Sequence, residues 1–223
     1  MGSDDATDTS KSLQETVTSS SSTLLPLSPS VDQLSRPLSL DETHKLNDEW
    51  TLWFLKPPAQ GLEWSDLLKE VISFQTVEEF WGIFNNISKA SMLPAKSDYS
   101  YFIKGIRPEW EDPQNMNGGK WAYQNRHRGS NVDELWLCTV LCAIGGTLDP
   151  TGREVTGVVC NMRKGFYRIA VWTRSCTDKE ALTRIGLRFK EILHLTDKET
   201  IEFSAHEDSS KSGSMRAKSR LSL

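Results

Sequence analysis

The feature that most limits the possible folds is a pair of apolar stretches joined by a very short turn. Residues 155–161 and 166–173 are rich in β-branched and aromatic residues, and Arg163, Lys164 and Gly165 lie between them. So short a connection joins antiparallel strands, because a parallel pair needs a crossover of a dozen or more residues. The sequence therefore predicts a β-hairpin and, with it, an antiparallel sheet.

Other stretches of the chain have the length and composition of strands or helices. Four further strands are predicted, at residues 46–54, 99–103, 120–124 and 199–203. Three stretches have apolar residues at helical spacing, and their predicted bounds are 77–87, 132–143 and 178–193. Thr76 with Glu79, and Thr177 with Glu180, have the spacing of capping boxes for the first and third helices. Three amphipathic helices can cover one face of a sheet and leave the other free for a ligand, so the predicted class is α+β.

Composition separates the chain into two parts. Residues 1–43 contain eleven serines and no aromatic residue, with seven acidic and two basic side chains. Such a segment cannot bury enough apolar surface to offset its ordering entropy, and we expect it to be disordered. We expect one folded domain over residues 44–223, with a partly flexible segment from about residue 204. The folded part is nearly neutral, so the overall charge of −4 does not exclude a basic site.

Several classes of protein are disfavoured by simple counts. No apolar run approaches the roughly 20 residues needed to span a bilayer, so we expect no membrane association through such a span. The four cysteines include no Cys-x-x-Cys pair and the four histidines are dispersed. We therefore expect reduced thiols, no metal and no cofactor.

A loop around Trp110 carries the clearest functional signal. Trp110 lies among Pro, Asn and Gly residues that exclude a helix, and Glu111 follows it directly. An indole plane beside a carboxylate can stack on a base and accept hydrogen bonds from its edge. The alternative is an indole that covers a small core beside a solvated acid.

Other residues are compatible with a nucleotide site. Trp64 also lies in a turn-like stretch, Trp172 ends the predicted hairpin, and the hairpin turn carries a basic cluster of Arg163, Lys164 and Arg168. Aromatic planes suit a base and cations suit phosphates. Charges in a turn are also common on a solvated rim, and this second interpretation remains open.

Five stretches of the chain, in order and spacing, resemble translation initiation factor 4E, the family of messenger-RNA cap-binding proteins. These are His44-Lys45-Leu46 with Trp50 to Phe54, Thr76 to Trp81, Trp110-Glu111-Asp112, Gly118 to Trp121, and Ile169 to Thr173. The resemblance implies a curved antiparallel sheet with three α-helices on its convex face and a groove on the concave face. It also implies that residues 44–223 form a domain that binds the 7-methylguanosine cap, and that the protein is not an enzyme.

The resemblance assigns roles to individual residues. Trp64 and Trp110 would sandwich the methylated base, Glu111 would accept from its N–H groups, and Trp172 would pack against the N7 methyl. The phosphates would be bound by Arg163, Arg168, Lys164 and Lys211. The turn departs from the family pattern Arg-x-Lys-Gly, because Lys164 and Gly165 directly follow Arg163.

The resemblance also implies a partner site on the convex back. Its residues would be His44, Leu46, Val77, Trp81 and Leu137. The partners would be a scaffold initiation factor of the 4G type and 4E-binding repressor proteins, each docking through a Tyr-x-x-x-x-Leu-hydrophobic helix. The protein would then be a monomer within a larger initiation complex. Lys45 and Cys138 replace the proline and the acid that are usual in the family.

The function implied is recognition of the mRNA cap and recruitment of the scaffold that starts protein synthesis, in the cytoplasm and with a nuclear location left open. Three alternatives remain at this point. The first is a cap-binding translational repressor paralogue, and the second is a general single-strand RNA-binding module. The third is an enzyme that uses Glu111 or Asp112 as a general acid or base, although no metal cluster or phosphate-binding glycine loop accompanies them.

Overall fold

The computed structural model describes residues 43–126, 131–152, 154–208 and 219–223. Eight strands form one sheet in the order β2-β1-β3-β5-β6-β4-β7-β8, and every neighbouring pair is antiparallel. The strands are β1 Lys45–Leu55, β2 Leu68–Thr76, β3 Ser97–Ile103, β4 Gly119–Asn125, β5 Val155–Arg163, β6 Phe166–Thr173, β7 Glu202–Ala205 and β8 Leu221–Ser222. The predicted hairpin of β5 and β6 is confirmed.

Three helices of eight or more residues accompany the sheet in the described part of the chain. They are α2 Val77–Phe84, α3 Val132–Ile144 and α4 Lys179–Ile192, preceded by a one-turn helix, α1 Trp64–Leu67. A 3₁₀ turn spans Ala90–Met92. The predicted α+β class, a curved antiparallel sheet with its main helices on the convex face, is confirmed.

Strand register sorts the apolar side chains onto two faces. Leu52, Tyr101 and Val158 are aligned across β1, β3 and β5, and they belong to the large core that includes helix residues such as Phe80 and Phe189. The residues next to them along the strands point the other way. Trp53, Phe102 and Val159 are among these neighbours, and they belong to a smaller cluster that also contains Leu68, Ile106, Ala170 and Trp172. This second face is the one that α2, α3 and α4 leave open.

The largest error of the sequence analysis is the missing strand β2. The predicted strands include none between residues 54 and 77, but Leu68–Thr76 form a nine-residue strand paired with β1. β2 lies at the edge of the sheet, and only Leu68 and Phe74 in it are buried. A strand with so few buried positions lacks the alternation of apolar residues that identifies strands in a sequence.

The capping predictions had mixed outcomes. Thr76 accepts from the Glu79 amide at 3.2 Å, and Glu79 accepts in return from the Thr76 amide at 3.1 Å, so the first capping box is confirmed. The second is wrong, because the α4 cap is Asp178, which accepts from the Ala181 amide at 3.0 Å. An aspartate adjacent to a threonine competes for the cap position with a stronger, charged acceptor.

Some element ends differ from those predicted. Helix α2 ends at Phe84 rather than reaching residue 87, and β7 covers residues 202–205 instead of 199–203. The last helical positions and short strands are where local patterns are weakest. The N-terminal tail and residue 211 lie outside the described residues, so the domain boundaries stay a prediction. All four cysteines have free thiols. No described helix is long and apolar enough to cross a membrane.

Candidate functional site: a cavity between two tryptophan side chains

The candidate site is a cavity of about 400 Å³ on the open face of the sheet. Five of the residues selected from the sequence line it together, although they come from distant parts of the chain. They are Trp64, Trp110, Glu111, Arg163 and Trp172.

Trp64 is presented by helix α1 and not by a loop, which corrects the sequence prediction. It is the first residue of this single turn, and the Asp66 carboxylate caps the turn by accepting from the Glu63 amide at 3.2 Å. Leu67 is buried and its carbonyl accepts from the Lys56 amide at 3.0 Å, which fixes the turn against the end of β1. The Trp64 side chain is nevertheless 46% exposed. A large indole held in water above a cavity is poised to cover a ligand.

Trp110 lies in the long connection between β3 and β4, as predicted. It is half-buried, and its indole Nε1 donates to the Glu111 carboxylate. The far end of the connection is fixed by close packing, because a Cβ on Gly118 would lie 1.8 Å from the Thr173 carbonyl oxygen. Only glycine permits this approach of β4 to β6.

Trp172 forms the floor of the cavity. It is 9% exposed, contacts the Phe102 ring edge to face at 5.4 Å, and has its ring centre 4.1 Å from that of His206. Gly157 makes room for this arrangement, since a Cβ there would come within 2.4 Å of Phe102. The floor indole is therefore held by aromatic contacts on its buried side.

Arg163 supplies a cation in the wall of the cavity. Its guanidinium forms a two-pronged ion pair with Asp98, in which Nη1 contacts Oδ1 and Nη2 lies 3.2 Å from Oδ2. Nη1 also donates to the Met162 carbonyl at 3.0 Å. Asp98 is buried and lines the same cavity. A planar guanidinium that makes two hydrogen bonds to one carboxylate is held in a single orientation, and this suits recognition of a phosphate.

Lys120 also lines the cavity, and the sequence analysis did not select it. It is 6% exposed, and its Nζ lies 6.0 Å from the centre of the Trp172 ring. Burial, with a smaller contribution from the Arg168 charge, lowers the pKa of Lys120 to about 8. The available signal was its place in the Gly118-Gly119-Lys120-Trp121 stretch, but an isolated lysine in a strand usually faces solvent.

His206 was not identified either. It is 1% exposed and lies against Trp172. Burial, followed by the nearby charge of Lys120, lowers the pKa of His206 to about 3, so the ring is neutral at physiological pH. A neutral imidazole packs behind an indole without adding a second charge next to Lys120.

Two of the other proposed phosphate ligands, Lys164 and Arg168, do not line the cavity. Lys164 is exposed in the β5–β6 turn. The Arg168 guanidinium donates to Gln124 Oε1 at 2.8 Å and lies 5.9 Å from the centre of the Phe166 ring. Lys211 lies outside the described residues. Their roles stay predictions.

The residues predicted for the back surface cluster around α2. His44 Nδ1 lies 2.7 Å from Glu78 Oε1, and the His44 carbonyl accepts from the Val77 amide at 2.9 Å. Hydrogen bonds from His44 lower the pKa of Glu78 to about 2. Leu46, Trp81 and Leu137 are half-buried and pack on the large core.

An apolar groove connects the two helices of this back surface. It has a volume of about 270 Å³ and includes Phe84, Ile87, Trp136 and Leu137. Trp81 contacts Phe84 with ring centres 6.0 Å apart. Trp81 is half-buried whereas its neighbour Phe80 is fully buried, so Trp81 lies at the edge of the apolar stripe of α2.

The chemistry of the cavity favours a planar, charged ligand. Two partly exposed indoles can stack on a ring, Glu111 can accept from N–H donors, and Arg163 and Lys120 offer positive charge. Among the described residues, no group of three or more His, Cys, Asp or Glu side chains is arranged to hold a metal ion.

Comparison with known proteins gives consistent matches. The model of the family described as Eukaryotic initiation factor 4E matches residues 45–221. The chain is 82% identical to Eukaryotic translation initiation factor 4E-2 of Schizosaccharomyces pombe over 182 residues, which are 82% of this chain and 75% of that protein.

Solved structures match as well. A Caenorhabditis elegans eIF4E-3 in complex with the 4E-binding protein Mextli and a cap analog has a TM-score of 0.75 and 36% identity, covering 82% of this chain and all of that one. A schistosome eIF4E complexed with m7GpppA and 4E-BP has a TM-score of 0.74 and 30% identity, covering 81% and 99%.

Proposed function

The chain belongs to the eukaryotic initiation factor 4E family, and we propose that it binds the 7-methylguanosine cap of mRNA and recruits the translation initiation machinery. The observation that carries this proposal is the convergence of Trp64, Trp110 and Glu111 on one cavity that also contains Arg163 and Lys120. The solved relatives carry a cap analog or m7GpppA, which supports the same ligand class here.

The base is recognised by the two partly exposed indoles of Trp64 and Trp110 and by the Glu111 carboxylate. Methylation at N7 gives the purine a positive charge, so the electron-rich faces of Trp64 and Trp110 add a cation–π attraction to ordinary stacking. Glu111 accepts from the guanine N1–H and N2–H₂ groups, a charge-assisted pair that adenine cannot form. To make these bonds, the Glu111 carboxylate gives up the hydrogen bond that it accepts from Trp110 Nε1. Trp172, at the floor of the cavity, packs against the N7 methyl group.

The phosphates are bound by the cationic wall. Arg163 is already oriented by Asp98, so little side-chain entropy is lost when a phosphate arrives. Lys120 adds a second positive charge from the same wall, and a bound phosphate favours its protonated form. Lys164 and Arg168 extend the positive surface toward the rest of the cap and the RNA, and Lys211 is proposed to add a further phosphate contact.

The back surface receives the partners. The groove of Phe84, Ile87 and Leu137, continued by Trp81, suits the apolar side of a helix with anchors three or four residues apart. A Tyr-x-x-x-x-Leu-hydrophobic helix from a scaffold of the 4G type, or from a repressor, fits this description. The relatives with Mextli and 4E-BP bound support partners of this kind.

We propose binding without catalysis. The three acids at the cavity serve other purposes, since Glu111 faces the base, Asp98 is paired with Arg163 and Glu109 is paired with Arg107. The protein acts in the cytoplasm, where capped mRNA is translated.

The direct test removes one of the two indoles that stack on the base. Trp110→Ala is expected to weaken 7-methyl-GTP binding by ~1–3 kcal/mol, which is typical for loss of one stacking face. Affinity is measured by fluorescence titration, with thermal unfolding as the check on folding. Trp81→Ala is the matched control, because it removes a half-buried indole from the other side of the sheet. Wild-type affinity in Trp110→Ala would refute the proposed base site.

A further inference from the structure

The segment that carries Trp110 has no regular secondary structure to hold it. Between the end of β3 at residue 103 and the start of β4 at residue 119, the backbone forms a series of turns. A connection of this kind orders its residues only through specific hydrogen bonds. The bonds that fix the backbone next to Trp110 therefore decide where its indole lies.

Asn115 supplies side-chain hydrogen bonds to the backbone just before Trp110, where the Glu109 carbonyl also accepts from the Asp112 amide at 3.4 Å. The Asn115 side chain is completely buried, and Nδ2 donates to the carbonyl oxygens of Arg107 and Glu109, each at 2.9 Å. The Glu109 carbonyl belongs to the peptide plane that leads into Trp110. Because a peptide is rigid, holding this oxygen also holds the Trp110 nitrogen and the direction in which its Cα leaves the plane.

The backbone of Asn115 is fixed as well. Its amide donates to the Asp112 carbonyl at 2.9 Å, and its carbonyl accepts from Gly118 at 2.8 Å. The Asp112 carboxylate accepts from the Arg107 amide at 2.9 Å and from the Gln114 amide at 2.8 Å. Asn115 is thus attached to the rigid start of β4 and connects it to the two carbonyls that precede Trp110.

We propose that Asn115 is a positioning residue for the base site: it holds the Glu109–Trp110 peptide so that the indole is set for stacking before the ligand arrives. This inference rests on the proposed function. Asn115 is not among the residues that line the cavity, so its effect on binding passes through Trp110. A pre-formed indole wall avoids the cost of ordering the loop during binding.

A double-mutant cycle separates positioning from a general effect on the fold. We expect Asn115→Ala to weaken 7-methyl-GTP binding about tenfold, since two buried hydrogen bonds to the Trp110 segment are lost. In a Trp110→Ala background the same change is expected to alter affinity less than about twofold, because no indole remains to be positioned. Calorimetry at ligand concentrations up to the millimolar range measures both.

The same loop offers a matched control. Asn117 is exposed two residues further on, and Asn117→Ala should leave affinity unchanged in both backgrounds. If Asn115→Ala does not fold, Asn115→Ser, which keeps one hydroxyl donor in place of the amide, goes through the same cycle with a smaller expected loss.

Three results would overturn the inference. An equal loss of affinity in both backgrounds would make Asn115 a general stabiliser of the fold. No loss of affinity in the wild-type background would show that the Asn115 hydrogen bonds are not needed to position Trp110. In both cases Trp110→Ala alone would still weaken binding, so the proposed function would survive. If Trp110→Ala itself had no effect, the base site and the inference would fail together.

Discussion

Glu111 is the residue on which the choice of guanine depends. Glu111→Gln keeps the size of the side chain but leaves one acceptor oxygen and no charge, so it cannot satisfy both guanine N–H donors. We expect the change to weaken 7-methyl-GTP binding by ~1.5–3 kcal/mol, the range for hydrogen bonds to a charged group. Calorimetry measures it, and Glu70→Gln on the exposed edge strand β2 is the control. Unchanged affinity in Glu111→Gln would mean that another group reads the base edge.

Lys120 should make stability depend on pH in the alkaline range. Its pKa is about 8 in the folded protein because of burial, against an ordinary value of 10.5. Between these values the unfolded chain binds more protons than the folded one, so the contribution of Lys120 to stability rises with pH. A difference of this size corresponds to ~3 kcal/mol.

The prediction for Lys120 is tested by comparing variants over pH. The wild type should gain stability relative to Lys120→Met as pH rises from about 7.5 to 10.5, measured by urea unfolding at each pH. Lys69→Met, at an exposed position on β2, should show no such trend. A constant difference between wild type and Lys120→Met would contradict the described burial of Lys120.

At the scale of single residues, the sequence predicted side chains whose context is unusual. Trp110 was selected because an indole in a loop of Pro, Asn and Gly residues is not obviously part of a core, and an acid follows it directly. Lys120 and Asn115 were not found because their function depends on burial, which is set by contacts far away in the chain. A lysine in a strand and an asparagine in a turn are common everywhere.

Helix α2 is the element that tests the back surface. Trp81 is half-buried at the edge of the α2 stripe, whereas its neighbour Phe80 is fully buried. Trp81→Ala should weaken a Tyr-x-x-x-x-Leu-hydrophobic peptide by ~2 kcal/mol or more, as for an aromatic anchor in a groove. Fluorescence anisotropy of a labelled peptide measures this loss. Lys69→Ala, at an exposed position on the edge strand β2 and outside the groove, is the control. Peptide binding at wild-type strength would place the docking surface elsewhere.

At the scale of elements, strands with many buried residues were predicted more accurately than strands with few. Strands β5 and β6 are almost wholly buried and were predicted closely, while the edge strand β2 was missed. Helix α1 was also missed, because one turn gives too few positions for a 3.6-residue period to appear. Its absence from the prediction is why Trp64 was expected in a loop.

The whole molecule combines a ligand face and a partner face on one sheet. The alternating register sends Trp53, Phe102 and Trp172 to the cavity side, and their strand neighbours to the helix side. The sequence predicted the α+β class from element types and the short β5–β6 turn. It could not predict the strand order, because the pairings of β1 with β3 and of β4 with β7 join segments separated by other elements.

The most direct test of the central claim compares two ligands that differ by one methyl group. Calorimetric titration of the wild-type protein with 7-methyl-GTP and with GTP isolates the positive charge that N7 methylation adds to the base. Two indole faces that each gain ~0.5–2 kcal/mol from this charge predict that 7-methyl-GTP binds at least about fivefold more tightly than GTP. Equal affinities for the two ligands would contradict recognition of the cap between Trp64 and Trp110.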